Sequence, residues 1–293
     1  MEKIHIPVLL QETLACLNIK PDGFYIDCTL GDGGHSSEIL KKLSDKGLLL
    51  SIDHDQHAVD FVKASYPQKA NWLIRRENFS KIDTLAGETT RKPDGILMDL
   101  GLSSRQLEES FNRGFSYLEK EELLDMRMDE RLGVKASDLL NALSVKQLTE
   151  LFKEYGEEKY AKRIAEAIKN SDTKIETVED LTRLIYREVP AGTNDHKNPS
   201  RRVFQALRIV VNDELGSLED GLNRSFEILN KEGRLCVITF HSLEDRIVKN
   251  FFNDQVRRGR GELLYSKVIA PTDKEIEQNP RSSSAKLRTI IKT

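Results

Sequence analysis

The chain has 293 residues, 38% hydrophobic and 32% charged, with a formal net charge of −3; it holds enough apolar material for a sizeable core and, at roughly 150 residues each, about two domains. No apolar run approaches the roughly 18 residues of a membrane span, and Met1–His5 lack the apolar core of a signal peptide, so membrane and secreted classes are set aside and a cytoplasmic protein is expected. Cys16, Cys28 and Cys236 lie far apart, with no zinc spacing and an odd count for disulfides, which points to a reducing compartment and no metal site.

In chain order, Phe24–Thr29 reads as a strand, Ser36–Leu43 as a helix, Leu48–Ile52 as a strand and His57–Ser65 as a helix. Asn71–Arg75 and Asp94–Met98 are two more strands, and short strands separated by helices imply a parallel sheet covered on both faces. From Arg105 to about Pro199 the strand signal stops, and helical periodicity runs through Ala136–Tyr155, Glu157–Asn170 and Val178–Glu188. Asp125–Asp129 and Ala191–His196 read as loops. Arg202–Leu229 is one long amphipathic segment, followed by a strand at Arg234–Phe240, a helix at Leu243–Val256, and strands at Leu264–Ile269 and Lys286–Ile291. The economical organisation is an α/β core, residues 1–104 and 200–293, interrupted by a helical insertion at 105–199.

Charge is uneven. Residues 201–293 hold 17 Lys/Arg against 13 Asp/Glu, an excess gathered around Arg257, Arg258 and Arg260 and in the last residues. A solvated surface explains such a cluster as well as polyanion binding does.

Gly31-Asp-Gly-Gly-His-Ser36 lies between the first strand and its helix, where glycines let the backbone turn tightly and approach a ligand. Asp53 ends the second strand, the position from which an acid accepts hydrogen bonds from the ribose of an adenosine cofactor in doubly wound folds. The loop departs from the dinucleotide pattern at Ser36. That suits a cofactor without a pyrophosphate, such as S-adenosylmethionine, while leaving a dinucleotide-dependent oxidoreductase open.

Longer blocks are more specific: His5–Glu12, Gly31–Ser36, Asp99-Leu-Gly-Leu-Ser-Ser104, Gly114–Ser116, Leu124–Asp129, Phe204–Ile209 with Asn212–Leu215, and Phe240–Arg246. Together they resemble the RsmH (MraW) family, bacterial S-adenosylmethionine-dependent methyltransferases that modify the exocyclic N4 of a cytidine in 16S ribosomal RNA. The resemblance runs from His5 to Arg288. It implies a class I, Rossmann-like methyltransferase fold with a mostly parallel sheet, and an insertion that serves substrate recognition. The implied cofactor contacts are Gly33, Gly34, His35, Asp53, Phe79, Asp99 and Gln106. Plainer roles stand beside these: core packing for Phe79, helix capping for His35 and a solvated helix start for Gln106.

Two departures from the family pattern stand out. Asn198 precedes Pro199 where a histidine is usual, and Ser283 replaces a common arginine.

Many amino methyltransferases of bases carry an Asp/Asn/Ser-Pro-Pro-aromatic tetrad after the fourth strand, whereas this chain has Asp99-Leu-Gly-Leu. Asp99 is therefore a candidate for a second role towards the base, and His241 a candidate proton relay. Asp125 and Asp129 around Arg127 read as ion pairs in preference to metal ligands. Arg201 and Arg202, together with Phe204, are candidate RNA contacts at the junction of insertion and core. The expected partner is 16S ribosomal RNA in a small ribosomal subunit or its precursor, with no membrane, and the protein is expected to be a monomer or homodimer. A non-catalytic RNA-binding protein and a small-molecule methyltransferase are the remaining rivals.

Overall fold

The computed structural model describes residues 7–109, 111–190 and 198–293, so His5, Ile6 and the expected loop at Ala191–His196 lie outside the described residues. The chain divides into two compact units, Met1–Ser103 with Leu215–Thr293, and Ser104–Glu214.

The first unit begins with α1 (Leu10–Leu17) and continues β1 (Phe24–Asp27), α2 (Gly34–Lys42), β2 (Leu48–Asp53), α3 (Gln56–Ser65), β3 (Trp72–Arg76), α4 (Ile82–Ala86) and β4 (Gly95–Asp99). The sheet order is β3-β2-β1-β4 and then β5 (Arg234–Thr239), β7 (Lys286–Lys292) and β6 (Gly261–Leu263). All pairings are parallel except β5–β7 and β6–β7. This is the class I methyltransferase arrangement expected from the sequence.

Both faces of the sheet are covered, which is why its central strands read as unbroken apolar runs. In β1, Phe24 and Ile26 enter the core that contains Leu222, Phe226 and Phe252, while Tyr25 enters the opposite core with Leu14, Ile39 and Val59. Truncating one of the fully buried phenylalanines would cost about 3–5 kcal/mol. The strand order reverses between β1 and β4, and in open α/β sheets ligands collect at the carboxyl edge of that reversal.

The second unit is helical: α5 (Ser104–Glu108), α6 (Ala136–Ala142), α7 (Val145–Gly156), α8 (Ala161–Lys169), α9 (Val178–Glu188) and α10 (Ser200–Asn212). The continuous helix expected over Ala136–Tyr155 breaks before α7, where Ser144 accepts from Gln147 N–H and the Gln147 side chain accepts from Ser144 N–H. Such a capping box favours a fresh helix start. The expected Arg202–Leu229 segment likewise divides at Asp213, whose φ of 47° ends α10 before α11 (Glu214–Ile228) begins. Asp tolerates this left-handed conformation better than most residues.

α10, placed with the core by sequence, groups instead with the insertion helices, because Val203, Phe204, Leu207 and Val211 are buried and Gly156 lets α7 approach its backbone closely. The Asp125–Arg131 loop forms ion pairs, as expected. Arg127 holds Asp125 at 2.6 and 2.8 Å, and Arg131 holds Asp129 at 2.7 Å. Asn212 secures this loop, its Oδ1 accepting from Met128 N–H at 2.7 Å and its Nδ2 donating to the Met126 carbonyl at 2.8 Å.

The first unit closes with β5, α12 (Ser242–Arg257), β6, α13 (Asp273–Gln278) and β7. The expected strand at Leu264–Ile269 is absent. Only Ile269 forms a bridge, to Leu287, and the paired strand is the shorter β6 just before it.

Candidate active site

The chain leaves β1 at Asp27 and turns through Gly31 and Gly33, whose φ values of 50° and 80° suit glycine, before entering α2. Asp53, at the end of β2, steadies the turn: its Oδ2 accepts from Gly31 N–H at 2.9 Å and its Oδ1 from Asp55 N–H at 2.9 Å. Each oxygen keeps a second lone pair for a ligand hydroxyl. Burial above all raises the Asp53 pKa, against His54 and these two N–H donors.

Beneath the loop runs a buried polar chain that the sequence pattern does not reveal. Trp72 Nε1–H can only donate, and it does so to Ser51 Oγ at 2.9 Å. Ser51 then donates to Ser36 Oγ at 2.7 Å, and Ser36 donates to Asp27 Oδ2 at 2.6 Å. Asp27 is fully buried, and burial pushes its carboxyl up to about 6 despite the donors Ser36 and Thr29. The only sequence signal for these bonds is the presence of polar residues, Asp27 and Ser51, at interior strand positions.

Asp99 ends β4 with its backbone N–H on Thr29 Oγ1 at 2.7 Å, which joins the β1 and β4 ends. Its Oδ2 lies 3.4 Å from His35 Nδ1. His35 Nε2 faces the Val8 carbonyl at 3.1 Å, and since a carbonyl only accepts, Nε2 carries the hydrogen. An attractive Nδ1–Asp99 contact then requires one further proton, on the ring or on the carboxyl. Burial, then the negative charges of Asp27 and Glu244, push Asp99 well above the usual carboxylate range. Its Oδ1 is buried and has no hydrogen-bond partner among the described residues.

Phe79 follows β3, just beyond Glu77, whose N–H donates to the Asp53 carbonyl at 3.0 Å. Its ring lies so close to the α11 backbone that a Cβ on Gly221 would stand 2.6 Å away, and it is only half-buried. Core packing and an available ring face therefore coexist.

His241 is the N-cap of α12. Its Nδ1 accepts from Glu244 N–H at 3.4 Å, and its Nε2 lies 3.0 Å from Glu244 Oε1, a contact by distance that does not meet hydrogen-bond geometry. Both ring nitrogens thus face one glutamate, an arrangement that supplies a capping role.

The first unit brings Gly33, Gly34, His35, Asp53, Phe79 and Asp99 to one sheet edge. Gln106 is buried on α5 of the second unit, and Arg201 and Arg202 are half-buried in the first turn of α10. Phe204 is not available for stacking on RNA: it is 4% exposed and packs edge-on against Tyr117 at 6.0 Å.

These residues fit S-adenosylmethionine. The unpartnered Asp99 oxygen suits an ammonium donor, Asp53 suits a diol, and the glycine turn leaves the backbone bare. Comparison with known proteins decides the class. The sequence matches the MraW methylase family over residues 2–293. The chain belongs to that family. It is a methyltransferase, and its methyl donor is S-adenosylmethionine. It is 44% identical to the Ribosomal RNA small subunit methyltransferase H of Fusobacterium nucleatum subsp. nucleatum, covering 99% of this chain and 98% of that one. It is also 44% identical to the protein of the same name from Clostridium botulinum (strain Loch Maree / Type A3), with both chains fully covered. A crystal structure from Clostridium thermocellum carrying an rRNA-methylase designation shares the fold, with a TM-score of 0.50 at 10% identity over 99% of this chain and 100% of that one. Among the described residues no helix is long and apolar enough to cross a membrane.

Proposed function

We propose that the protein methylates the exocyclic N4 of a cytidine in 16S ribosomal RNA, within a small ribosomal subunit or its precursor. It does so in the cytoplasm, as a monomer or homodimer. The observation that carries this reading is the unpartnered Asp99 oxygen beside the glycine turn and Asp53, in a chain whose relatives are named for small-subunit ribosomal RNA.

S-adenosylmethionine, when bound, supplies an electrophilic methyl group on a sulfonium. Gly33, Gly34 and His35 line the side of the amino-acid tail, Asp99 Oδ1 accepts from its ammonium, Asp53 accepts from the ribose hydroxyls, and Phe79 flanks the adenine. The acceptor amine is a poor nucleophile because its lone pair is delocalised into the ring, so alignment along the breaking bond is the main demand on the protein. Asp99 stands at the end of β4, where its carboxylate also suits a second role in drawing a proton from that amine. Access by the base requires an unpaired or flipped-out cytidine. The helical insertion selects the substrate, with Arg201 and Arg202 on the RNA.

Mass spectrometry of small-subunit RNA incubated with protein and donor should find one methyl group on one cytidine N4. Unchanged RNA, with a protein that binds the donor by calorimetry, overturns the proposal, and binding of NAD instead would favour the oxidoreductase. Neutralising Arg201 and Arg202 together should weaken RNA binding and lower its salt slope by about 0.7 for each phosphate released, with donor affinity unchanged.

A further inference from the structure

The first unit carries a basic hollow that the site above does not use. After β6 the chain holds the edge of β7 at two points: Leu264 N–H donates to the Thr289 carbonyl, and Ile269 N–H donates to the Leu287 carbonyl, each at 3.1 Å. Between those points it stands off the sheet. The arch, β7 and α12 enclose a shallow hollow of about 330 Å³, counting its open mouth.

Its floor is apolar, built from Phe252 and Leu263 beside the backbone of β7, and Lys249, Tyr265 and Lys267 stand exposed around it. Tyr265 is 54% exposed, unusual for a large aromatic side chain. Among the described residues, no carboxylate lines the hollow. Glu262 is exposed on the opposite side of β6 from Leu263, as strand alternation requires. Asp245, the acid near Arg288, is engaged by Arg288 at 2.8 Å and Lys286 at 3.2 Å, which offsets that charge. Lys249 and Lys267 form no ion pair among the described residues. Two unneutralised cations beside an exposed ring over an apolar floor match what a single strand of nucleic acid offers: phosphates and a base face.

Position strengthens the match. Asp99 pairs with Ile238, and Ile238 with Leu287, so all three lie in one row across the sheet. At about 4.8 Å per strand, the backbone at the near end of the hollow is roughly 10 Å from that of Asp99, a span of a few nucleotides.

Resting on the RNA methylation proposed above, we infer that this hollow grips single-stranded RNA flanking the target, with one base stacked on Tyr265 and backbone phosphates on Lys249 and Lys267. An acidic protein partner would also meet the two lysines but gives no reason for the exposed ring.

The test uses the full chain and a single-stranded fragment of 16S RNA containing the target, with binding followed at several salt concentrations. Lys249→Ala with Lys267→Ala should weaken binding about tenfold at low salt and reduce the slope of log K against log salt by about 1.4, near 0.7 for each phosphate. Tyr265→Ala should cost about 5–150-fold, the range for losing one base stack, and Tyr265→Phe should bind as wild type. Donor affinity should be unchanged in all three. Normal RNA affinity and salt slope in both alanine variants overturn the hollow as an RNA contact, as does loss of RNA and donor binding together. Wild type that binds RNA through these residues yet leaves it unmethylated overturns the proposed activity alone, and wild type that methylates normally with indifferent variants overturns the hollow alone.

Discussion

Asp125 and Asp129, in the helical unit, each sit against an arginine two residues further on, with Lys135 also near Asp125 at 3.6 Å. Asp27 and Asp99, at the sheet edge of the other unit, have no lysine or arginine partner among the described residues, and sit beside hydroxyls and His35. The first arrangement lowers the carboxyl pKa: burial pushes Asp125 up, and its bonds to Arg127 outweigh that. The second raises it, with burial uncompensated by any cation. The ion-paired aspartates hold a loop in place. Those at the sheet edge are held at a cost to the folded state, which a cationic ligand can recover.

Asp27 shows what this does to stability. Its folded pKa of about 6 lies above the ordinary 3.8, so between those values the native state keeps a proton that the unfolded chain has released. Stability must therefore fall as pH rises from about 4 through about 6, by about 3 kcal/mol for this group. Asp27→Asn should reduce the slope by about that amount, as read by urea melts at pH 4 and pH 7 without donor, the remainder coming from Asp53 and Asp99, whose carboxyls are also raised. If the variant keeps the wild-type slope, Asp27 is not its source.

A somewhat smaller effect is expected at Asp99. Asp99→Asn should weaken S-adenosylmethionine binding by about 1.5–3 kcal/mol, the range of a hydrogen bond to a charged group, with a normal circular dichroism spectrum. Calorimetry checks this, and an unchanged Kd would remove Asp99 from the cofactor site.

Arg127→Ala should behave oppositely, lowering stability at neutral pH by about 1–2 kcal/mol, between an exposed and a buried ion pair, with donor affinity intact. The lowered Asp125 pKa means its contribution is present above about 4 and is lost as pH falls through the folded value. The variant's deficit should therefore shrink in acid. A constant deficit from pH 7 to pH 3, in thermal melts, would mean that Arg127 acts through the Glu130 and Leu132 carbonyls it also binds.

Much of this is legible in the sequence. The parallel strands declare themselves as apolar runs, and Asp53 and the glycine turn by their spacing. Two helices read as longer than they are, because apolar periodicity stays in phase across a break. Ser144 with Gln147 carries the missing signal, while Asp213 carries only the weak preference of an Asp for the left-handed region. Leu264–Ile269 resembles a strand, yet only its ends reach β7, and the stand-off between them is what opens the basic hollow. The Trp72–Ser51–Ser36–Asp27 chain cannot be read locally, because its members come from three strands and a helix and meet only once the sheet has formed.

The order of strands also bears on how the chain emerges from the ribosome that makes it. β4 pairs with β5, yet the whole helical unit lies between them in sequence, and the last pairing, β7 with β5, needs the final residues. Translation at 5–20 residues per second leaves β4 without its neighbour for on the order of ten seconds. During that time a strand with Ile96, Leu97 and Met98 destined for burial presents an open edge to other nascent chains. Slowing synthesis within the insertion should therefore increase aggregation of this protein, whereas slowing it within α1, before any strand exists, should not.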